Sequence, residues 1–72
     1  MQNIAVDNFS RENSLLTISD LAKMLRISEK SVYSLNYRGV GPAYLRIGKS
    51  VRYRRETVSK WLQDKESAAW HR

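Results

Sequence analysis

Apolar side chains recur along this chain with two periods, and the switch between them marks the elements. Ile18, Leu21, Ala22 and Leu25 fall at i, i+3, i+4 and i+7, one stripe of a helix. Thr17 stands before the stripe and Asp20 three residues later, the arrangement of a capping box with Asp in the usual Glu place. A first helix is therefore predicted over 18–25. Arg26, Ile27 and Ser28 follow, too few residues to carry the chain far, so the second helix must turn sharply from the first. Ser28 suits its N-cap. The pattern predicts this helix from Glu29 to about Tyr37, stopped near Gly39, which tolerates a left-handed C-terminal position. Val32 and Leu35, with Ile27 of the turn, supply its apolar side. Glu29, Lys30, Ser31, Tyr33, Ser34 and Tyr37 make up the remaining face.

Beyond Gly39-Val40-Gly41-Pro42 the period becomes two. Ala43, Leu45 and Ile47 alternate with Tyr44 and Arg46; after Gly48-Lys49-Ser50, Val51 and Tyr53 alternate with Arg52 and Arg54. This predicts a β-hairpin with a short tip. Carried through that three-residue tip, the alternation predicts one apolar face and one face bearing Arg46, Arg52 and Arg54. A third helix is expected from Arg55-Glu56 to Asp64 or Lys65, burying Val58, Trp61 and Leu62. Residues 1–14 are polar and aperiodic and read as an arm on which Ile4, Val6 and Phe9 offer docking points. Residues 65–72 read as a tail, with Trp70 placed to pack back or to meet a partner.

The order helix, tight turn, helix, hairpin, helix predicts an α+β fold. It is a small winged helix-turn-helix over 15–64, a helix-turn-helix with a two-stranded wing and a C-terminal helix.

Charge sharpens this picture. Thirteen Lys and Arg stand against seven Asp and Glu, a formal charge of +6 on 72 residues. From Arg38 to Arg55 six residues are basic, namely Arg38, Arg46, Lys49, Arg52, Arg54 and Arg55, and none is acidic. A concentrated cationic surface favours a polyanionic partner, nucleic acid before membrane. No stretch approaches the roughly 20 apolar residues of a membrane span, and the N-terminus lacks the basic start and apolar run of a secretory signal. There is no cysteine and one histidine, His71, which reads as a solvated tail residue. Phosphate-loop, catalytic-triad and metal-ligand spacings are absent. The chain is read as non-enzymatic, with no cofactor and no small-molecule ligand.

Double-stranded DNA fits both halves of the pattern. The major groove admits a helix and presents a readable set of donors and acceptors. The candidate readers on the second helix are Ser28, Glu29, Lys30, Ser31, Ser34, Tyr37 and Arg38. The candidate wing contacts, to backbone and minor groove, are Tyr44, Arg46, Lys49, Ser50, Arg52, Arg54 and Arg55. Base stacking by Tyr33, Tyr37, Tyr44, Tyr53 and Trp61 is disfavoured, because Tyr53 and Trp61 fall on apolar stripes.

Residues 15–62, LLTISDLAKMLRISEKSVYSLNYRGVGPAYLRIGKSVRYRRETVSKWL, resemble the MerR-like winged-helix group that contains phage and prophage excisionases and small AlpA-type regulators. The matching pieces are LTISDLAKMLRIS, SVYSL, GPAYLRIGKSVRYRR and ETVSKWL, in order. The resemblance implies a major-groove helix at Ser28 to Ser34 and a wing at Arg46 to Arg54. It implies a cytoplasmic setting, in a bacterium or phage-infected cell. Its lead function is that of an excisionase, or recombination directionality factor, which binds and bends attachment-site DNA beside an integrase and copies of itself. A small transcription regulator is the runner-up, and a basic adaptor that binds an acidic protein is a third reading. Helix 2 opens Ser28-Glu29-Lys30 where relatives often carry Arg or Thr, so no base preference transfers.

Overall fold

A computed structural model describes residues 15–70, with the Trp70 side chain outside that description. The expectations for the 1–14 arm with Ile4, Val6 and Phe9, for His71 and for the Trp70 side chain lie outside the described residues.

Helix α1 spans Ile18–Leu25. Its capping box is closed in both directions: Asp20 N–H donates to Thr17 Oγ1 and Thr17 N–H donates to the Asp20 carboxylate, each at 3.0 Å. Two donors that the first turn leaves without helical partners are thereby satisfied. Helix α2 spans Glu29–Arg38, capped by Ser28, one residue longer than the pattern predicts. The two helices end alike. Arg26 and Gly39 each adopt a left-handed conformation, with φ of 58° and 69°. The next N–H then reaches back five residues, Ile27 to the Ala22 carbonyl at 3.0 Å and Val40 to that of Leu35 at 3.1 Å.

Strands β1 (Leu45–Ile47) and β2 (Ser50–Arg52) form the antiparallel wing. Immediately after β2, Tyr53 exchanges two 2.8 Å backbone hydrogen bonds with Leu16. The segment leading into α1 is thus tied to the base of the wing. Helix α3 spans Arg55–Trp70 and so runs on past the predicted end near Lys65. Residues 62–69 are exposed. This stretch is helical through the propensity of Leu, Gln, Lys, Glu and Ala, not through an apolar stripe.

Leu16, Ile18, Leu21, Ala22, Val32, Tyr53 and Val58 form the core, with Leu25 and Val51 packed against it. Every helix and the strand side of the wing contribute, so one small core sets the relative positions of α1, α2, α3 and the hairpin. Of the apolar positions expected from the helices and the turn, Leu35 and Trp61 are half-buried outside this cluster and two more are exposed. Leu62 is exposed, and Ile27 sits at the exposed edge of the turn. Trp61 is half-buried, and its indole N–H donates to the Val40 carbonyl at 3.1 Å. The fold is a small α+β winged helix-turn-helix: three helices and a two-stranded antiparallel hairpin.

Candidate nucleic-acid interface

Helix α2 presents its first turns to solvent. Glu29, Lys30, Ser31, Ser34, Tyr37 and Arg38 are all exposed, Tyr37 to 94 %. Ser28 is committed to the cap. Its Oγ accepts from Ser31 N–H and donates to Ser31 Oγ, both at 3.0 Å. Ser28 therefore shapes the start of the helix, while Lys30, Ser34 and Tyr37 hold the free polar groups along it.

The wing corrects the sequence reading. Its register pairs Leu45 with Arg52, Arg46 with Val51 and Ile47 with Ser50. The tip is Gly48-Lys49 alone. Gly48 has a φ of 63° and Lys49 does not share the left-handed conformation, the signature of a two-residue type II′ turn. Opposed residues point to the same face of a hairpin, so Arg46 shares a face with Val51, and Arg52 shares the other with Leu45. The predicted single face of Arg46, Arg52 and Arg54 does not form. The cause is one residue of tip length: with Ser50 in the strand rather than the turn, the parity of β2 inverts relative to β1.

The face carrying Arg46 is the one that continues into the core through Val51 and Tyr53. On it the Tyr44 and Tyr53 rings meet edge to face, 6.1 Å apart at 71°. The Arg46 guanidinium sits 5.9 Å over the Tyr44 ring, a geometry that favours cation–π attraction. The Tyr53 hydroxyl, in turn, donates to Asn36 Oδ1 of α2 at 2.8 Å. Burial pushes the Tyr53 hydroxyl above its ordinary 10.0, against the opposing effect of the Asn36 hydrogen bond, so it stays a donor. Side chains thus lead stepwise from α2 to the wing arginine. Arg52 is half-buried and spends one guanidinium N–H on the Val51 carbonyl at 2.8 Å.

Between α2, the start of α1 and the wing lies an open groove of about 700 Å³. Tyr33, Asn36 and Tyr37 border it from α2, Thr17 and Ser19 from α1, and Tyr44, Arg46, Lys49, Ser50 and Arg52 from the wing. No carboxylate is among its lining residues. Despite lying on opposite hairpin faces, Arg46 and Arg52 both reach this groove.

Of the expected site residues, Tyr37, Tyr44, Arg46, Lys49, Ser50 and Arg52 are brought together here. Ser28, Glu29, Lys30, Ser31, Ser34, Arg38, Arg54 and Arg55 lie outside the groove lining; all are exposed polar side chains, with Ser28 and Ser31 bonded to each other at the cap. Arg54 leads into α3, its carbonyl accepting from Val58 N–H at 3.1 Å. Thr17, Ser19, Tyr33 and Asn36 also line the groove, outside the expected set. Tyr33, Asn36 and Tyr37 lie at i, i+3 and i+4 on α2, a spacing the sequence contains, but nothing in it says which side of α2 the wing will face.

Among the described residues, no group of three or more His, Cys, Asp or Glu could hold a metal ion. No helix there is long and apolar enough to cross a membrane.

The family model for the helix-turn-helix domain matches residues 15–66, while no curated protein and no solved structure matches the chain. That match covers well over half of the 72 residues. The chain therefore belongs to the helix-turn-helix domain family and is a small DNA-binding protein.

Proposed function

We propose that the chain is an excisionase, a recombination directionality factor that binds duplex DNA through α2 and the wing and bends it for a separate integrase. The observation that carries the DNA half of this reading is the acid-free groove between α2 and the wing, with Arg46, Lys49 and Arg52 on its wall. The first turns of α2 are exposed for insertion into the major groove, where base edges carry sequence information. The wing lies beside them, suited to the flanking backbone and minor groove. The directional half comes from the resemblance of residues 15–62 to the excisionase group.

Such a protein performs no bond chemistry. It stabilises a bent attachment site, and smooth bending of 20–30 base pairs costs roughly 1–6 kcal/mol. A single small module buries too little DNA surface to supply that readily. Several copies on neighbouring sites, in contact with one another and with the integrase, would offset the cost. The setting is the cytoplasm of a bacterial or phage-infected cell.

The test is a footprint on the DNA flanking the chain's own gene, followed by a bending and recombination assay with purified integrase. Adjacent protected sites, a bend and stimulated excision are expected. One isolated promoter site with no effect on recombination would instead identify a small transcription regulator.

A further inference from the structure

We infer that Asn36 is a hydrogen-bond donor to a DNA phosphate in the α2–wing groove, and that Tyr53 is the positioning residue that orients it. This rests on the duplex-DNA reading of the same surface. Asn36 is half-buried and borders the groove between Tyr33 and the wing. Its Oδ1 is already taken, accepting from the Tyr53 hydroxyl at 2.8 Å. Tyr53 is fully buried, so its hydroxyl has no water to turn to and holds the amide in one orientation.

The other end of that amide is unused. Asn36 Nδ2 makes no hydrogen bond to any described residue. An asparagine reads adenine by offering a donor and an acceptor side by side; with Oδ1 held against the Tyr53 hydroxyl, Nδ2 is the end of the Asn36 amide left without a partner among the described residues. An unpaired N–H donor seeks an oxygen. The groove beside it holds Arg46, Lys49 and Arg52 and no carboxylate, which concentrates anions there. A smaller groove of about 280 Å³ also touches Asn36, but its lining, from Leu35 to Tyr44, has no charged side chain. A phosphodiester oxygen, anionic and acceptor-only, matches the larger groove on both counts. Such a contact positions the protein without reading sequence.

The experiment measures binding of the full chain to random-sequence duplexes across a salt series, with circular dichroism melts of each variant. Asn36→Asp keeps the acceptor for Tyr53 but replaces the donor by a carboxylate. It should weaken binding to every duplex by more than tenfold, because it adds repulsion to the lost bond. Asn36→Ala should weaken binding by about tenfold, the size of a hydrogen bond to a charged group. Because Asn36 carries no charge, the Ala variant should leave the salt slope unchanged, whereas Arg46→Ala should flatten it. Tyr53→Phe should lower affinity for random duplexes with the Asn36 side chain intact, and combining it with Asn36→Ala should add little further loss of binding. A merely structural Tyr53 would give additive losses.

Folded Asn36→Asp binding random duplexes as tightly as the wild type would overturn the inference. So would a loss confined to one preferred sequence, which would make Asn36 a base reader. If the wild-type chain binds no duplex at all, the DNA reading itself fails. If it binds, responds to Arg46→Ala and ignores both Asn36 variants, only this inference fails.

Discussion

The Tyr53 hydroxyl donates to Asn36 Oδ1 across 2.8 Å, joining the end of the wing to the last turn of helix α2 over a sequence separation of 17 residues. Both partners bear on the fold: Tyr53 is the largest fully buried side chain of the core, and Asn36 sits on the groove-facing side of α2. The bond fixes how the hairpin stands against the helix. Tyr53→Phe removes only the hydroxyl and is expected to cost about 1 kcal/mol, a fall of several degrees in Tm for a domain this small. Tyr53→Ala removes the ring as well and should cost about 3–5 kcal/mol, enough to unfold a domain with so small a core. Thermal melts followed by circular dichroism separate the two; equal melting of the Phe variant and the wild type would show the bond to be idle.

The two left-handed helix ends give a second expectation. Gly39 has a φ of 69° with no atom near the place its Cβ would occupy, so Gly39→Ala should cost about 1 kcal/mol from backbone strain alone. Arg26 bears the same strain already, at a φ of 58°. Arg26→Gly should therefore hold stability level or raise it by up to about 1 kcal/mol. Chemical denaturation of the pair reads this directly, and a large loss in Arg26→Gly would mean that the Arg26 side chain makes up for its strained backbone.

The capping box predicts an acid limb in stability. The Thr17 backbone N–H bond holds the Asp20 carboxyl below its ordinary 3.8; desolvation opposes it, and the Thr17 hydroxyl, Lys23 and Arg55 add to the lowering. A carboxyl whose folded pKa is depressed stabilises the fold above its unfolded value, and that contribution is lost as pH falls through the folded one. Urea midpoints should thus decline below about pH 4, and Asp20→Asn should lessen that decline because it already gives up, at neutral pH, the stability that the carboxylate supplies. An Asp20→Asn profile that parallels the wild type through this range would assign the acid limb to other carboxyls. Thr17→Ala, which removes the cap oxygen, should cost about 1 kcal/mol at neutral pH.

Much of this architecture was legible in the chain. The stripe of Ile18, Leu21, Ala22 and Leu25 with the Thr17 and Asp20 pair gave α1 to the residue, and Ser28 and Gly39 bracketed α2, because caps are local chemistry that the sequence states outright. What escaped is non-local. Leu16 is paired with Tyr53, 37 residues on by number, through backbone atoms that any residue supplies. Tyr33 and Asn36 join the candidate site because the wing docks on that side of α2, a consequence of core packing around Val32 and Tyr53. The end of α3 escaped for a different reason: residues 62–69 make a helix without burying a face, so periodicity is silent there. The wing shows how one local choice propagates, since a tip of Gly48-Lys49-Ser50 and a tip of Gly48-Lys49 place Arg52 and Arg54 on opposite sides.

That parity has a functional consequence for the two arginines nearest the groove. Arg46 is exposed, stands over the Tyr44 ring and leaves its guanidinium without a hydrogen-bond partner among the described residues. Arg52 is half-buried on the other hairpin face, with one N–H committed to the Val51 carbonyl. A charge that is free to meet a phosphate releases about 0.9 of a counterion on contact with duplex DNA. Arg46→Ala should accordingly flatten the plot of log K against log salt by close to that amount, for random and preferred sequences alike. Arg52→Ala should flatten it less and cost more in thermal stability, since it also removes the Val51 bond and a half-buried stem. Fluorescence anisotropy at five or six salt concentrations measures both slopes. Equal slope changes for the two variants would mean that Arg52 swings free of Val51 on DNA; a larger change for Arg52 than for Arg46 would place the DNA backbone nearer the Leu45 face of the wing than the Val51 face.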